Sequence, residues 1–262
     1  MECKIQNDSL TDSDYWEERW RKLKLPSRID IRRYEHWCNH QIFQRKLPKR
    51  PLRLLEVGCA PGRYLIYFSE NFGYAVNGVE LTPTGCAITR RNLALAGVKG
   101  QIFEGDFLNI HFPLEDYDVV FSAGFIEHFV NPIFVLEKMY TVLKPGGILL
   151  ATLPNFAGSL GALRKRFDGD VYLKHNPITA KSLRSMYTQL NIQDIYVEYF
   201  GSLRLSVLVH TSSPLRRKLL WLFSRLADLT LVALYRSSGI SLEGSWLSSN
   251  IVACGVKQQR VS

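Results

Sequence analysis

The chain has 262 residues, enough for one large α/β domain or two small ones. Its hydrophobic fraction of 46% is that of a globular protein with a real core, which excludes a low-complexity chain. The formal net charge of +9 points to anions: acidic small molecules, anionic lipid or nucleic acid, with a basic enzyme lacking any polyanion partner as the plain alternative.

Five scattered cysteines (Cys3, Cys38, Cys59, Cys86, Cys254) show no metal-ligand spacing and no disulfide framework, so a reducing, cytoplasmic setting is expected. The first eight residues hold no apolar stretch of the kind a signal peptide needs. No apolar run reaches the roughly 18 uncharged residues of a membrane-spanning helix.

In chain order, residues 12–24 carry Trp16, Trp20 and Leu23 at helical spacing, with Ser13 or Asp14 as the expected cap. Residues 31–46 form a second helical pattern, and Pro48 and Pro51 mark a linker. Residues 1–50 are therefore expected to form an N-terminal helical cap, and residues 51–262 the main domain. In that domain strands are expected at Arg53–Val57, Tyr74–Val79, Gly100–Phe103, Tyr117–Ser122, Ile148–Leu153, Ile192–Phe200 and Asn250–Val256. Helices are expected at Tyr64–Asn71, Thr84–Ala96, Pro132–Leu143 and from the Thr179 cap to about Leu190. The run Lys144-Pro145-Gly146-Gly147 reads as a helix stop. This alternation predicts an α/β fold: a doubly wound, mostly parallel, seven-stranded Rossmann-like sheet with helices on both faces. Residues 201–246 break the rhythm and read as a helical insertion.

In such a sheet, ligands bind beyond the carboxyl ends of the strands. The first strand ends in Glu56-Val57-Gly58-Cys59-Ala60-Pro61-Gly62, a turn that lets bare backbone approach a cofactor. The second ends at Glu80, placed to accept from ribose hydroxyls, and the third at Glu104-Gly105-Asp106-Phe107. A dinucleotide fingerprint would need glycines where Ala60 and Arg63 stand, and no Lys-Ser or Lys-Thr completes a P-loop.

Glu56–Gly62, Glu80, Glu104–Phe107, Tyr117–Phe129 and Leu143–Gly147 together resemble the class I S-adenosylmethionine-dependent methyltransferases. The resemblance covers roughly residues 50–200 and is nearest the small-molecule and lipid branch typified by ubiquinone biosynthesis O-methyltransferases. It implies S-adenosyl-L-methionine as cofactor. Gly58, Cys59, Ala60 and Gly62 would line its methionine end through backbone groups, and Glu56 would orient the loop and the amino group. Glu80 would hold the ribose hydroxyls. Leu81 and Phe107 would pack on the adenine, Asp106 would bind its amino group, and Ser122 would contact the methionine portion.

Methyl transfer needs alignment and, for a hydroxyl or amine, a base. His128, beside Glu127 in Phe125–Phe129, is the expected base, with imidazole's ordinary pKa in its favour. The ubiquinone-type enzymes bind a divalent metal through an acid three residues before this Glu-His pair. Gly124 stands there in this chain, so no metal is expected. His175 could line the acceptor site, and Tyr15, Trp16 and Trp20 could form a lid.

No Asp/Asn-Pro-Pro-aromatic motif of amino methylation and no Pro-Cys nucleophile is present, and no basic–aromatic platform appears, so nucleic acid is not the expected partner. Residues 215–235 are basic at the start and apolar after, interrupted by Arg225 and Asp228. They could lie on a membrane surface, roof an apolar acceptor pocket or add a core or oligomer contact. The expectation is O-methylation of a small or lipid-like acceptor. The other readings are a non-catalytic scaffold with the same fold and a methyltransferase acting on RNA or protein.

Overall fold

The computed structural model describes residues 8–202, 214–238 and 243–259. Cys3, and residues 203–213 and 239–242 of the expected insertion, lie outside the described residues.

Seven strands form one sheet: β1 (Arg53–Val57), β2 (Ala75–Glu80), β3 (Gly100–Glu104), β4 (Tyr117–Ala123), β5 (Leu143–Pro154), β6 (Ile192–Phe200) and β7 (Asn250–Lys257). Their order is β3-β2-β1-β4-β5-β7-β6. Strands β1 to β5 pair in parallel, and β7 runs antiparallel to both β5 and β6. The strand order reverses between β1 and β4, and ligands of doubly wound sheets bind at the strand ends there.

The helices are α1 (Ser13–Arg21), α2 (Tyr34–Lys46), α3 (Arg63–Phe72), α4 (Pro83–Ala96), α5 (Pro132–Val142), α6 (Ser159–Phe167), α7 (Gly169–Leu173), α8 (Ala180–Gln189) and α9 (Pro214–Ser238). Local chemistry sets their ends. Asp12, one residue before the expected cap, accepts from the Tyr15 N–H at 2.8 Å and starts α1. Thr82 caps α4 ahead of Pro83, and Gly97 in the left-handed region ends it. Thr179 and Ser182 form a reciprocal capping box on α8.

Each face of the sheet carries its own core. On one, Phe43 of α2 packs with Tyr64, Phe68 and Phe121, each within 6.4 Å centroid to centroid. On the other, Val135, Leu136 and Met139 of α5 and Leu183 and Tyr187 of α8 are buried over β4, β5 and β7.

Two expectations need correction. Lys144–Gly147 does not separate α5 from a strand starting at Ile148. It belongs to β5, which pairs with Tyr117 at Leu143 and regains register at Ile148–Val119. Lys144 is held there by Asp118 at 2.9 Å. Helices α6 and α7 were not anticipated, because the run Arg164-Lys165-Arg166 masks the short apolar pattern of Leu160, Leu163 and Phe167. The insertion contributes one described helix, α9, whose Val232 joins the α2 side of the core.

Candidate active site

A cavity of about 630 Å³ opens at the carboxyl ends of β1, β2 and β4. Its floor is the turn after β1. Gly58 has φ +70°, and a Cβ there would stand 2.7 Å from Phe125 Cδ2, so only glycine fits the turn against that ring. The Gly58 and Cys59 N–H groups donate to the Val79 carbonyl at 2.9 and 3.1 Å, tying the turn to β2. Gly62, φ +83°, starts α3.

Glu80 ends β2 at the cavity wall. Its Oε1 accepts from the Thr82 N–H at 3.1 Å and the Thr82 hydroxyl at 2.9 Å, and its Oε2 accepts a long 3.4 Å bond from Ala60 N–H, with the Trp20 side chain also close enough to lower its pKa. Burial raises its carboxyl above the usual range, with the Thr82 and Ala60 donors working against that rise. One oxygen therefore keeps most of its accepting capacity. Leu81 and Phe107 also line the cavity. Asp106 does so while accepting from Leu108 N–H at 2.9 Å and Asn109 Nδ2 at 2.8 Å, which fixes its carboxylate.

Not every residue expected at the cofactor reaches the cavity. Gly58, Ala60, Glu80, Leu81, Asp106 and Phe107 line it, whereas Glu56, Cys59, Gly62 and Ser122 stand buried behind its wall. The Cys59 side chain fills the space beside Gly78, where a Cβ would lie 2.5 Å from its Sγ. Its thiol is a packing group, pushed well above the usual thiol range by burial. Glu56 Oε2 and Ser122 Oγ are buried with no hydrogen-bond partner. Burial drives the Glu56 carboxyl well above the usual range, against the pull of nearby Arg63.

The opposite end of the cavity is aromatic. Trp16 of α1 stacks on Trp20 at 5.6 Å and meets His128 edge-on at 5.0 Å. His175 lies flat on Phe156 at 3.9 Å and 4.5 Å from the His128 ring. Phe125, Phe129, Leu160 and Val171 complete this end. Helix α1 is held over it by Glu17, which accepts from the Thr84 N–H at 3.1 Å and from the Thr84 hydroxyl.

Glu127 and His128 sit on a single 3-10 turn, Ile126–His128, after β4. His128 Nδ1 lies 2.7 Å from the Lys174 carbonyl and so carries the proton, which leaves the Nε2 lone pair free. His175 Nδ1 donates in the same way to the Val171 carbonyl at 2.6 Å. Imidazole's ordinary pKa does not survive this setting. Burial, then His175, pushes His128 down to about 3. Burial likewise lowers His175 to about 4 and raises Glu127 to about 8. At neutral pH Glu127 is therefore a protonated carboxyl, and His128 and His175 are neutral imidazoles. Glu127, His128 and His175 each offer a ligand atom, all within 4.8 Å of one another.

Sequence reasoning singled out His128, His175 and the α1 aromatics, and the fold brings them together. It missed Phe156, Leu160 and Val171, which reach the cavity from α6, α7 and the loop before α6. The described side chains of α9 do not line the cavity, so a roof over the acceptor is not its role among the described residues.

Residues 55–151 match the family of methyltransferase domains. The chain is 31% identical over 105 residues to a demethylmenaquinone methyltransferase of Thermus thermophilus, covering 40% of this chain and 48% of that protein. It is 28% identical over 109 residues to a ubiquinone biosynthesis O-methyltransferase of Cereibacter sphaeroides, covering 42% and 44%. The matches thus span less than half the length of these curated relatives. Among solved structures, a phosphoethanolamine N-methyltransferase 2 of Haemonchus contortus, in complex with phosphomonomethylethanolamine and S-adenosylhomocysteine, superposes with a TM-score of 0.60. It is 20% identical, covering 85% of this chain and 52% of that one, and establishes the shared fold.

Proposed function

We propose that this chain, whose residues 55–151 match a methyltransferase domain, transfers a methyl group from S-adenosylmethionine to a small or lipid-like acceptor, preferentially at a hydroxyl oxygen. The observation that carries the reading is Glu80: a buried carboxyl at the end of β2, with accepting capacity to spare, beside a turn that only glycine can make.

The residues fit this cofactor. Glu80 would accept from the ribose hydroxyls. Asp106, Leu81 and Phe107 would take the adenine, and the Gly58–Ala60 backbone the methionine end. The unpartnered Glu56 Oε2 and Ser122 Oγ supply acceptor capacity behind that end. Missing glycines at Ala60 and Arg63 still argue against a dinucleotide. When bound, S-adenosylmethionine supplies a methyl group on a sulfonium, and the positive charge leaves the sulfur on transfer.

The chain's own residues do the rest. The aromatic end of the cavity excludes water and suits an apolar acceptor; α1 acts as its cap. His128, with its ring fixed by the Lys174 carbonyl, offers Nε2 to the acceptor's O–H and receives its proton as the new bond forms. Protonated Glu127, with Oε1 3.9 Å from that Nε2, keeps the surroundings neutral. The imidazolium so formed carries the positive charge that leaves the sulfur, with its Nε2–H beside Glu127 Oε1.

The similarity to quinone-methylating relatives supports a lipid-like acceptor. The test is incubation with methyl-labelled S-adenosylmethionine and a host-cell extract, followed by phase separation. Label in the organic phase supports the reading. Label only in the aqueous phase rejects the lipid-like acceptor, and label retained on protein or RNA favours a macromolecular one. Absence of S-adenosylhomocysteine would indicate a non-catalytic scaffold.

A further inference from the structure

Two charges in the middle of helix α9, Arg225 and Asp228, face the protein. Arg225 reaches Asp30 at 3.4 Å, and Asp228 accepts from the Tyr34 N–H at 3.4 Å and lies 3.9 Å from Arg33 Nε. On the same side Leu231, Val232 and Tyr235 pack on the core beside α2. The outward face is apolar: Leu219, Leu222, Phe223, Leu226, Leu229 and Leu234 are 40–57% exposed. Their offsets keep them on one face over about 22 Å at 1.5 Å per residue. A helix whose outer face met only water would show the reverse pattern.

The first turn adds a second observation. It holds Arg216, Arg217 and Lys218 and no acid. Cations at the positive end of a helix dipole are destabilising unless an anion lies against them. The apolar face therefore begins where an anion is wanted.

We propose that this face docks on a bilayer containing anionic lipid, with α9 lying flat at headgroup depth and its first turn against lipid phosphates. No described helix is long and apolar enough to cross a membrane, so the contact is peripheral. A second copy of the chain is a poorer occupant, because each copy carries a net charge of +9. The proposal deepens the lipid-like acceptor reading by naming the surface from which such an acceptor would be drawn.

The test is sedimentation of the full chain with vesicles of phosphatidylcholine alone or with about one-third phosphatidylglycerol. The expected result is at least tenfold tighter partitioning onto the anionic vesicles, weakened by salt. The triple variant Leu222→Ser, Phe223→Ser, Leu226→Ser should lower that partitioning by at least about 30-fold, with an unchanged unfolding midpoint because these side chains face outward. A second variant, Arg216→Glu with Arg217→Glu, should cost about tenfold while leaving the apolar face intact. No binding by the wild-type chain, or binding by either variant as tight as that of the wild type, would overturn the proposal. So would light scattering that shows a dimer which the serine variant dissociates. Sedimentation needs no cofactor or acceptor, so failed methyl transfer and failed docking are read separately.

Discussion

Replacing Glu127 by Gln should stabilise the protein at neutral pH. The side chain is 1% exposed and its Oε2 has no hydrogen-bond partner. Burial raises its pKa from the usual 4.5 to about 8, so folding favours the protonated acid. A group with a raised folded-state pKa contributes fully below its unfolded pKa, and the contribution fades as pH rises through the folded one. Below pH 4 the acid and the amide are both neutral and of similar shape, so the two proteins should be nearly equal in stability. Above that, wild type loses about 1.4 kcal/mol per pH unit relative to the variant. The gap should be under about 1 kcal/mol at pH 5, about 3 kcal/mol at pH 7 and about 4 kcal/mol at pH 8. Urea unfolding of both proteins at these three values measures it. A gap that stays constant, or shrinks as pH rises, would refute the assignment of a protonated Glu127.

The other predictions concern the cavity. His128→Gln should leave cofactor affinity within twofold and cut turnover about 100-fold; unchanged turnover would remove His128 as proton acceptor. Gly58→Val should weaken cofactor binding by more than tenfold and cost about 1–3 kcal/mol of stability, because it strains a positive φ and drives a side chain into Phe125. Dialysis against a chelator should change turnover by less than about twofold. A tenfold loss restored by a divalent ion would instead assign Glu127, His128 and His175 to a metal.

Much of the sheet was legible because each parallel strand is a short apolar run closed by turn residues, and β1 to β4 and β6 end within a residue of expectation. Of strand β5, Ile148–Leu153 was legible but its start was not, since Pro145 and Gly146 look like a stop yet lie within the strand. Glu80, Asp106 and Phe107 were legible because strand ends define the cavity. The burial of Ser122 was not, because sequence order cannot tell a side chain that faces the cavity from one turned into the core behind it. The pairing of His128 with His175 is set by α7 and the Lys174 carbonyl, 46 residues away, and no local pattern encodes it. The shifted pKa values follow from that burial and were equally invisible. For α9, apolar content was legible, but which face looks outward depends on Asp30 and Tyr34, nearly 200 residues earlier.

The most direct test of the central claim is a calorimetric titration of S-adenosylhomocysteine into wild type and Glu80→Gln. The account predicts saturable one-to-one binding by wild type, weakened at least tenfold in the variant as charge-assisted hydrogen bonds to the ribose are lost. No binding by wild type, or equal binding by both proteins, would contradict it.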